Sequence, residues 1–365
     1  MPIPDICLLF LNWRTADLTA AAVRSAAAGT ARPERLRLLV VDNGSGDDSA
    51  ERLPALLPVG AELLALPRNL GFARAVNAGL ERVREPLVFI CNSDITFEAG
   101  AIDRLAAALA ADSVAAMACP RLLRPDGSEQ AAVVPEPRVF WELTNRSLAR
   151  RLLRYDRQRT GPVSSVVGPC MAVRLDRLAD SATPSAMQSL CHKTAARRLD
   201  EMALDVAPVR LDRLDGRFFF FFEETDWCKR LGAAGRRILY VPEAAVVHLQ
   251  GESANRAPAR ARIQFFSSRY RYFYKHGGAP VVALLFLGLW LRLTVNLIAH
   301  TIGALATAWR SAGWRRLGVT GRLWLWHAWL CRPRWGFEPP GWRDHCAATG
   351  GKWNTEKRNV RKTEA

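Results

Sequence analysis

The first 120 residues alternate short unbroken apolar runs with stretches whose apolar positions recur every three to four residues. Runs at 6–11, 36–41, 63–66, 87–91 and 114–119 have the length of buried strands, and the stretches 17–28, 48–57, 72–84 and 98–111 have helical periodicity. Strand followed by helix, repeated, predicts a largely parallel α/β sheet. Right-handed crossovers place the loops that follow the strands along one edge, where ligands of open α/β sheets bind. Those loops read NWRTAD, DNGSGDD, PRNLGF and NSDITFE, all rich in polar and turn-forming residues.

The middle of the chain, 121–249, is less regular. Pro125-Asp126-Gly127 reads as a turn, 163–173 as a strand, 225–234 as a helix and 237–247 as a strand with a turn. The hexapeptide VRLDRL at 173–178 recurs at 209–214 and brackets a polar stretch, which reads as an insertion near 179–208 in a surface loop with no chemical role. A tail follows. Its aromatic and basic start, 265–275, leads into nineteen mostly apolar residues at 281–299, interrupted by Arg292 and Asn296. That length just reaches the ~20 residues a bilayer requires. Arg269, Arg271 and Lys275 precede the run and Arg310, Arg315 and Arg316 follow it, so a single span strands one basic cluster on the wrong side. A helix lying in the interface, or a shallow re-entrant hairpin, keeps both clusters on the cytoplasmic face.

Composition sharpens this division. At 49% hydrophobic and 24% charged residues, the 365-residue chain is neither disordered nor fibrous. Its net charge of +16 is concentrated: from Gly251 onward 19 Lys and Arg face 5 Asp and Glu, leaving the first 250 residues nearly neutral. Nine of the twelve tryptophans also fall in the tail, where indole rings suit lipid headgroups. The expected organisation is a ligand-binding half over 1–120, a second half over 121–264 carrying the insertion, and a basic helical tail over 265–365. Eight scattered cysteines without a C-x-x-C pair point to a reducing compartment. The N-terminus lacks the cationic and apolar regions of a signal peptide, so the body is expected in the cytoplasm.

Chemistry-bearing side chains gather at the predicted strand ends. Asp42 closes VVDNGS, where its carboxylate either accepts hydrogen bonds from a nucleobase or ribose or merely opens the Asn43-Gly44 turn. In RNLGFARAVNAG, Gly71 permits close backbone approach and a helix N-terminus offers positive potential to an anion. A plain N-cap at Asn69 accounts for that residue but not for Asn77, two turns later on the same side. The pattern is neither G-x-G-x-x-G nor a Walker loop, which disfavours nicotinamide enzymes and P-loop enzymes. Asn92-Ser93-Asp94 aims an amide oxygen and a carboxylate the same way, a pairing suited to a divalent cation bridging a diphosphate.

Downstream, five phenylalanines at 218–222 run into Glu223, Glu224 and Asp226. A carboxylate emerging from such an apolar wall is tuned upward toward a general base by desolvation, while Thr225 or Asp226 caps the helix that follows. His248 ends an apolar strand and becomes a ligand only if the fold sets it beside Asp94.

Taken in order, LLFLNW, VVDNGSGDDS, PRNLGFARAVNAG, CNSDI, GPCMAV, the segment from FFFFFEETDW to HLQGES, and RYFYKHGG resemble glycosyltransferase family 2, and within it the rhamnosyltransferase-like branch. The resemblance covers roughly residues 5–276. It implies the GT-A fold, a Rossmann-like mixed sheet, and inverting transfer from a nucleotide sugar. Position by position, it implies that Asn12 and Asp42 hold the nucleoside and that Arg68, Asn69 and Asn77 line the donor pocket. Asp94 takes the second slot of the family's D-x-D motif with Asn92 in the first, and His248 takes the metal-ligating position after the Pro-Glu-Ala turn. Glu224 stands where the family places its catalytic base, with Glu replacing Asp, and Glu223 and Asp226 flank it. Implied with these are Mg²⁺ or Mn²⁺, a dTDP-rhamnose donor, and a lipid-linked or polysaccharide acceptor at the inner face of the cell membrane. The insertion before the catalytic segment departs from the family's spacing. A non-catalytic alternative is a basic membrane- or nucleic-acid-binding protein on an inactive scaffold; the interleaving of basic residues with Trp and apolar runs is unlike a nucleic-acid groove.

Overall fold

The structure, a computed structural model, describes residues 5–144, 149, 151–152, 155–178, 209–249, 257–306, 311–329 and 331. The predicted insertion at 179–208, Arg310 and four tail tryptophans (Trp309, Trp335, Trp342 and Trp353) lie outside the described residues.

The alternation in the first half folds as its pattern predicts. Strands β1 (Ile6–Asn12), β2 (Leu36–Asp42), β3 (Glu62–Ala65) and β4 (Leu87–Asn92) pair in parallel in the order β3-β2-β1-β4, and all seven residues of β1 are buried. Between them run α1 (Ala16–Ser25), α2 (Ser49–Leu56) and α3 (Phe72–Leu80). Asn12 and Asp42 stand opposite one another in the β1–β2 register, so the two strands end level and both side chains reach the same edge.

Beyond β4 the sheet becomes mixed. After β5 (Ile95–Phe97) and α4 (Ala101–Ala111) come β6 (Ala115–Leu123) and the short β7 (Glu129–Gln130). A five-residue helix, α5 (Val139–Leu143), leads on to β8 (Gly161–Val163) and β9 (Cys170–Arg174). The predicted strand 163–173 is thus two strands. Pro169 has no N–H to give a ladder, and Gly168 weakens an extended run, so the chain breaks there and restarts. β9 enters antiparallel between β4 and β6, while β8 pairs with the far strand, β10 (Arg237–His248). The full order is β3-β2-β1-β4-β9-β6-β10-β5. β10 runs parallel to β6 with an irregularity between Val241 and Ala245, where Pro242 interrupts the pairing.

A second apolar cluster lies outside the sheet. It joins Phe218 and Phe222 to α7 (Pro258–Ala306) and α8 (Ser311–Ala328) through Phe266, Tyr270, Leu285 and Trp326. α7 bends at Gly278, whose φ of 76° suits glycine, two residues before Pro280. α8 turns back along it: Trp324 Nε1 donates to Thr294 Oγ1 at 2.9 Å and Tyr270 Oη meets His327 Nε2 at 2.8 Å. Arg292, an interruption in the apolar run by sequence, points inward and donates to the Glu142 carbonyl at 2.9 Å.

Candidate active site

The edge formed by β1 and β2 is a closed polar network. Asn12 Nδ2 donates to Asp42 Oδ1 at 2.6 Å, and Asn12 Oδ1 accepts from Thr19 Oγ1 at 2.7 Å and Thr15 Oγ1 at 3.2 Å. Asp42 also accepts from the Ser45 N–H at 3.2 Å and from the Ser45 hydroxyl. Both residues are almost wholly buried, so their first task is to fix the loops after β1 and β2. Arg14 completes the join: its backbone N–H meets Ser45 Oγ at 2.9 Å and its Nε meets Ser45 O at 2.7 Å. Arg14 and Ser45 are not singled out by the sequence pattern; the signal available was their place in the NWRTAD and DNGSGDD loops.

The PRNLGF loop docks on the same network. A Cβ at Gly44, where φ is 57°, would stand 2.1 Å from the Arg68 carbonyl carbon, so only glycine allows the loops to touch. Asn43 Oδ1 accepts from the Leu70 N–H at 2.8 Å, and Asn69 Oδ1 accepts from Gly71 N at 2.8 Å and from Asn43 Nδ2 at 3.1 Å. Asp42, Arg68 and Asn69 therefore share one rim, with Arg68 exposed.

Gly71 and Asn77 serve other contacts. Gly71 allows close approach, as expected, but to the aromatic segment: a Cβ there would lie 2.5 Å from Phe219 O, and the Phe72 N–H donates to that oxygen at 2.7 Å. The first N–H of α3 is thereby taken by protein and not offered to an anion. Asn77 exchanges two hydrogen bonds with the Leu214 backbone, Nδ2 to O at 2.8 Å and Oδ1 from N at 3.0 Å. It clamps the segment that leads into the five phenylalanines.

A second edge forms where β10 meets β5. His248 pairs with Ile95 in the register, which brings the imidazole beside Asp94 in the tight turn between β4 and β5. His248 Nε2 lies 3.5 Å from Asp94 Oδ1, and both side chains are about nine-tenths buried. The other ring nitrogen, Nδ1, is 3.0 Å from Gln130 Oε1, while Gln130 Nε2 donates to the His248 carbonyl at 2.6 Å. With Nδ1–H given to the amide oxygen, Nε2 keeps its lone pair facing Asp94, the tautomer a metal-binding histidine needs. Asp94 and His248 fit a divalent cation as a two-ligand site. Among the described residues no group of three His, Cys, Asp or Glu side chains converges, so the remaining positions would fall to water or to a diphosphate.

Between these edges stands the catalytic candidate. α6 (Glu223–Ala233) begins directly after Phe221 and Phe222, both held in the left-handed region at φ 70° and 69°. Two consecutive bulky residues with positive φ are strained, and such strain persists where the surroundings over-determine it, often at a working site. The turn sends Glu224 into a cleft of about 200 Å³ walled by Trp141, Phe221, Phe222 and Phe265, with Glu136 and Arg138 also lining it. Glu224 is half-buried, and burial pushes its carboxyl up to about 6 against the lowering effect of the Glu224 and Thr225 N–H groups. Its side chain packs on Gly168, where an added Cβ would lie 3.7 Å from the Glu224 Cβ. The next residue, Pro169, accepts from the Asn92 N–H at 2.9 Å. The Gly168-Pro169 break thus ties Asn92 to Glu224 across the sheet.

The flanking acids behave differently. Glu223 is buried with Oε2 unpartnered, and burial, then the charge of Glu224, raises its carboxyl well above the usual range. Asp226 caps nothing, because the helix starts three residues earlier. It is fully buried and accepts from Arg230 Nε at 2.8 Å, His276 Nε2 at 2.9 Å and Lys275 Nζ at 2.6 Å. Burial alone would raise its carboxyl; Lys275 and Arg230 outweigh that and hold it well below the usual range. The site therefore offers a carboxylate able to take a proton near neutrality, a carboxylate–imidazole pair suited to a cation, and a polar rim between α1 and α3.

The family described as "Glycosyl transferase family 2" matches residues 6–179. Two curated relatives, the N-acetylglucosaminyl-diphospho-decaprenol L-rhamnosyltransferases of Mycobacterium tuberculosis strains CDC 1551 / Oshkosh and ATCC 25618 / H37Rv, are each 29% identical over 279 residues, 70% of this chain and 79% of theirs. Among solved structures, the mannosyltransferase PcManGT of Pyrobaculum calidifontis in complex with GDP-Man and Mn²⁺ is similar at 15% identity and a TM-score of 0.47, over 91% of this chain and 88% of that one.

Proposed function

We propose that this family 2 glycosyltransferase of the GT-A fold, rhamnosyltransferase-like in sequence, moves a rhamnosyl residue from dTDP-rhamnose to a lipid-linked saccharide, with inversion. The observation that carries the reading is Glu224: a carboxylate with a raised pKa at the mouth of an aromatic cleft, tied through Gly168 and Pro169 to the loop that bears Asn92 and Asp94. The rhamnosyl group and the lipid-linked acceptor follow the names of the relatives, L-rhamnosyltransferases of N-acetylglucosaminyl-diphospho-decaprenol; the thymidine nucleotide follows the sequence resemblance alone.

In this reading Asp42, Arg68 and Asn69 receive the nucleoside and Asn92 the diphosphate, while Asn12 and Asn77 act one step back by holding the loops. Asp94 and His248 would hold Mg²⁺ or Mn²⁺, which would supply positive charge to a leaving diphosphate. Glu224 takes the proton from the acceptor hydroxyl as that oxygen attacks the anomeric carbon. The sugar–phosphate bond breaks on the opposite face and the nucleoside diphosphate leaves with the bonding electrons. Trp141 and Phe265 supply apolar faces on which a sugar ring stacks. The tail holds the enzyme at the inner surface of the cell membrane, where a lipid-linked acceptor resides.

Glu224→Gln keeps the side-chain volume and removes the base. Purified protein carrying it should bind thymidine diphosphate as the parent does and transfer no sugar. Undiminished transfer would reject Glu224 as the base, and no stabilisation of the parent by any thymidine nucleotide would reject the donor.

A further inference from the structure

The second half of α7 presents a face with no charge. Leu284, Leu287, Leu291, Val295, Ile298 and Ile302 recur at intervals of three and four residues, and each is more than half exposed. The row runs for about 30 Å at 1.5 Å per residue. Only Asn296 breaks the apolar character of the exposed positions from 283 to 306, since Arg292 turns inward to Glu142. Such a contiguous apolar surface on a described structure marks an interaction site.

The helix is long enough to cross a bilayer. Its partner is not suited to do so. α8 lies antiparallel against α7 and exposes Arg315, Arg316 and Arg322, along with Trp314 and Trp329. Guanidinium groups spread over two turns of one helix do not enter hydrocarbon beside it, but they meet anionic headgroups when both helices lie parallel to the surface. A second copy of the chain is a poorer occupant, because a two-fold contact along α7 would bring two such arginine rows together.

The face is also joined to the cleft. Gly288 lies on the side of α7 that carries Leu284, Leu291 and Val295, and a Cβ there would stand 2.4 Å from Leu143 of α5. α5 therefore sits on the proximal end of the row. One turn of α5 holds Phe140, 63% exposed, and Trp141, which lines the cleft beside Glu224. Arg269 and Glu142, 3.2 Å apart and both buried, lock α5 to α7.

From this juxtaposition we propose that α7 beyond Gly278 lies in the plane of an anionic bilayer, apolar face down, so that the cleft beside Glu224 opens at the lipid surface next to α5. Acceptor chemistry rests on the transferase reading; membrane docking does not. An acceptor anchored by its apolar chain would then present its headgroup to Glu224 without leaving the bilayer.

The test uses full-length protein and vesicles of phosphatidylglycerol and phosphatidylcholine. Leu291→Glu/Ile298→Glu should lower vesicle binding at least ten-fold with the melting temperature unchanged, and the uncharged Leu284→Gln/Ile302→Gln should lower it in the same direction by less. In membranes, a C-terminal tag should be reached by protease from the cytoplasmic side alone. Parent-like vesicle binding by both variants, a tag on the outer side, or a dimer that Leu291→Glu/Ile298→Glu turns into monomer with vesicle binding intact would each overturn the proposal. Absence of transfer by a parent protein that binds vesicles would reject the transferase reading and leave the docking proposal standing. Loss of transfer by Leu291→Glu/Ile298→Glu to a vesicle-borne acceptor, with transfer to a short-chain soluble acceptor within two-fold, supports both.

Discussion

Lys275 places its ammonium 2.6 Å from the buried carboxylate of Asp226, two residues past the candidate base, and 2.7 Å from Asp215 in the segment clamped by Asn77. One cation thus joins α7, α6 and the chain that leads into the phenylalanines. Burial holds His276 below its ordinary pKa, so near neutrality Lys275 and Arg230 answer the charge of Asp226. Lys275→Met removes the cation that Asp226 and Asp215 share while leaving Arg230 on the first and Arg217 on the second, and we expect the unfolding free energy to fall by about 2–3 kcal/mol in urea titrations. Both carboxyls are depressed, so the stabilisation is full above the ordinary aspartate range and is lost progressively as pH falls from that range to the depressed values of the folded protein. A loss below about 1 kcal/mol at pH 7 would show that the cluster is not a structural keystone.

The Glu224 carboxyl should set the acidic limb of the rate profile. With burial holding it at about 6, the base form declines as pH drops below that value, and kcat should fall about ten-fold per unit there. The same shift bears on stability. A carboxyl raised above its unfolded value destabilises the native state above pH 6, and the penalty vanishes below the ordinary glutamate range. Glu224→Gln should therefore melt higher than the parent at pH 8 and equally at pH 4. Equal melting at both would mean that the carboxyl is not desolvated.

Gln130 touches no proposed substrate yet holds His248 at two points, the ring through Nδ1 and the backbone through its carbonyl. Gln130→Leu should weaken the metal dependence of nucleotide binding about 10- to 100-fold, the usual effect of removing a group that orients a ligand. Gln130→Glu, which keeps an acceptor at Nδ1, should retain most of it. Identical metal titrations for parent and both variants would move the cation elsewhere.

Gly71 is where α3 and the aromatic segment touch. Gly71→Ala forces a Cβ to 2.5 Å from Phe219 O in a left-handed backbone, which we expect to cost about 1–3 kcal/mol and to displace Phe219. Transfer should then fall more than thymidine nucleotide binding does. A variant with parental stability and rate would show that the segment has room to move.

The parallel half was legible because each strand was a closed apolar run between turn residues, and Asp42, Asn92 and His248 were legible as strand ends. β9 was not. Its antiparallel entry between β4 and β6 depends on where Pro169 stops a ladder, and 163–173 carries no pattern that separates its two strands. The pairing of Asp94 with His248 was visible only as a condition, since 154 positions of chain separate partners that β5 and β10 align. Gln130 escaped notice, and Lys275 read only as one of a basic cluster before the apolar run, because their partners are remote: an amide and an amine acquire meaning only from what they touch. Arg292 misled in the opposite sense, reading as a flaw in an apolar helix when it is turned to the Glu142 carbonyl.

The strand order also governs how the chain is made. β10 lies between β6 and β5, yet it leaves the ribosome more than a hundred residues after either. At about 5–20 residues per second, roughly 6–25 s pass during which both neighbouring edges wait unpaired. A nascent chain halted before β10 exposes two open strand edges and also lacks His248. Completion of the sheet and delivery of the imidazole to Asp94 are therefore one event in synthesis, and until then the open strand edges are free to pair with another chain.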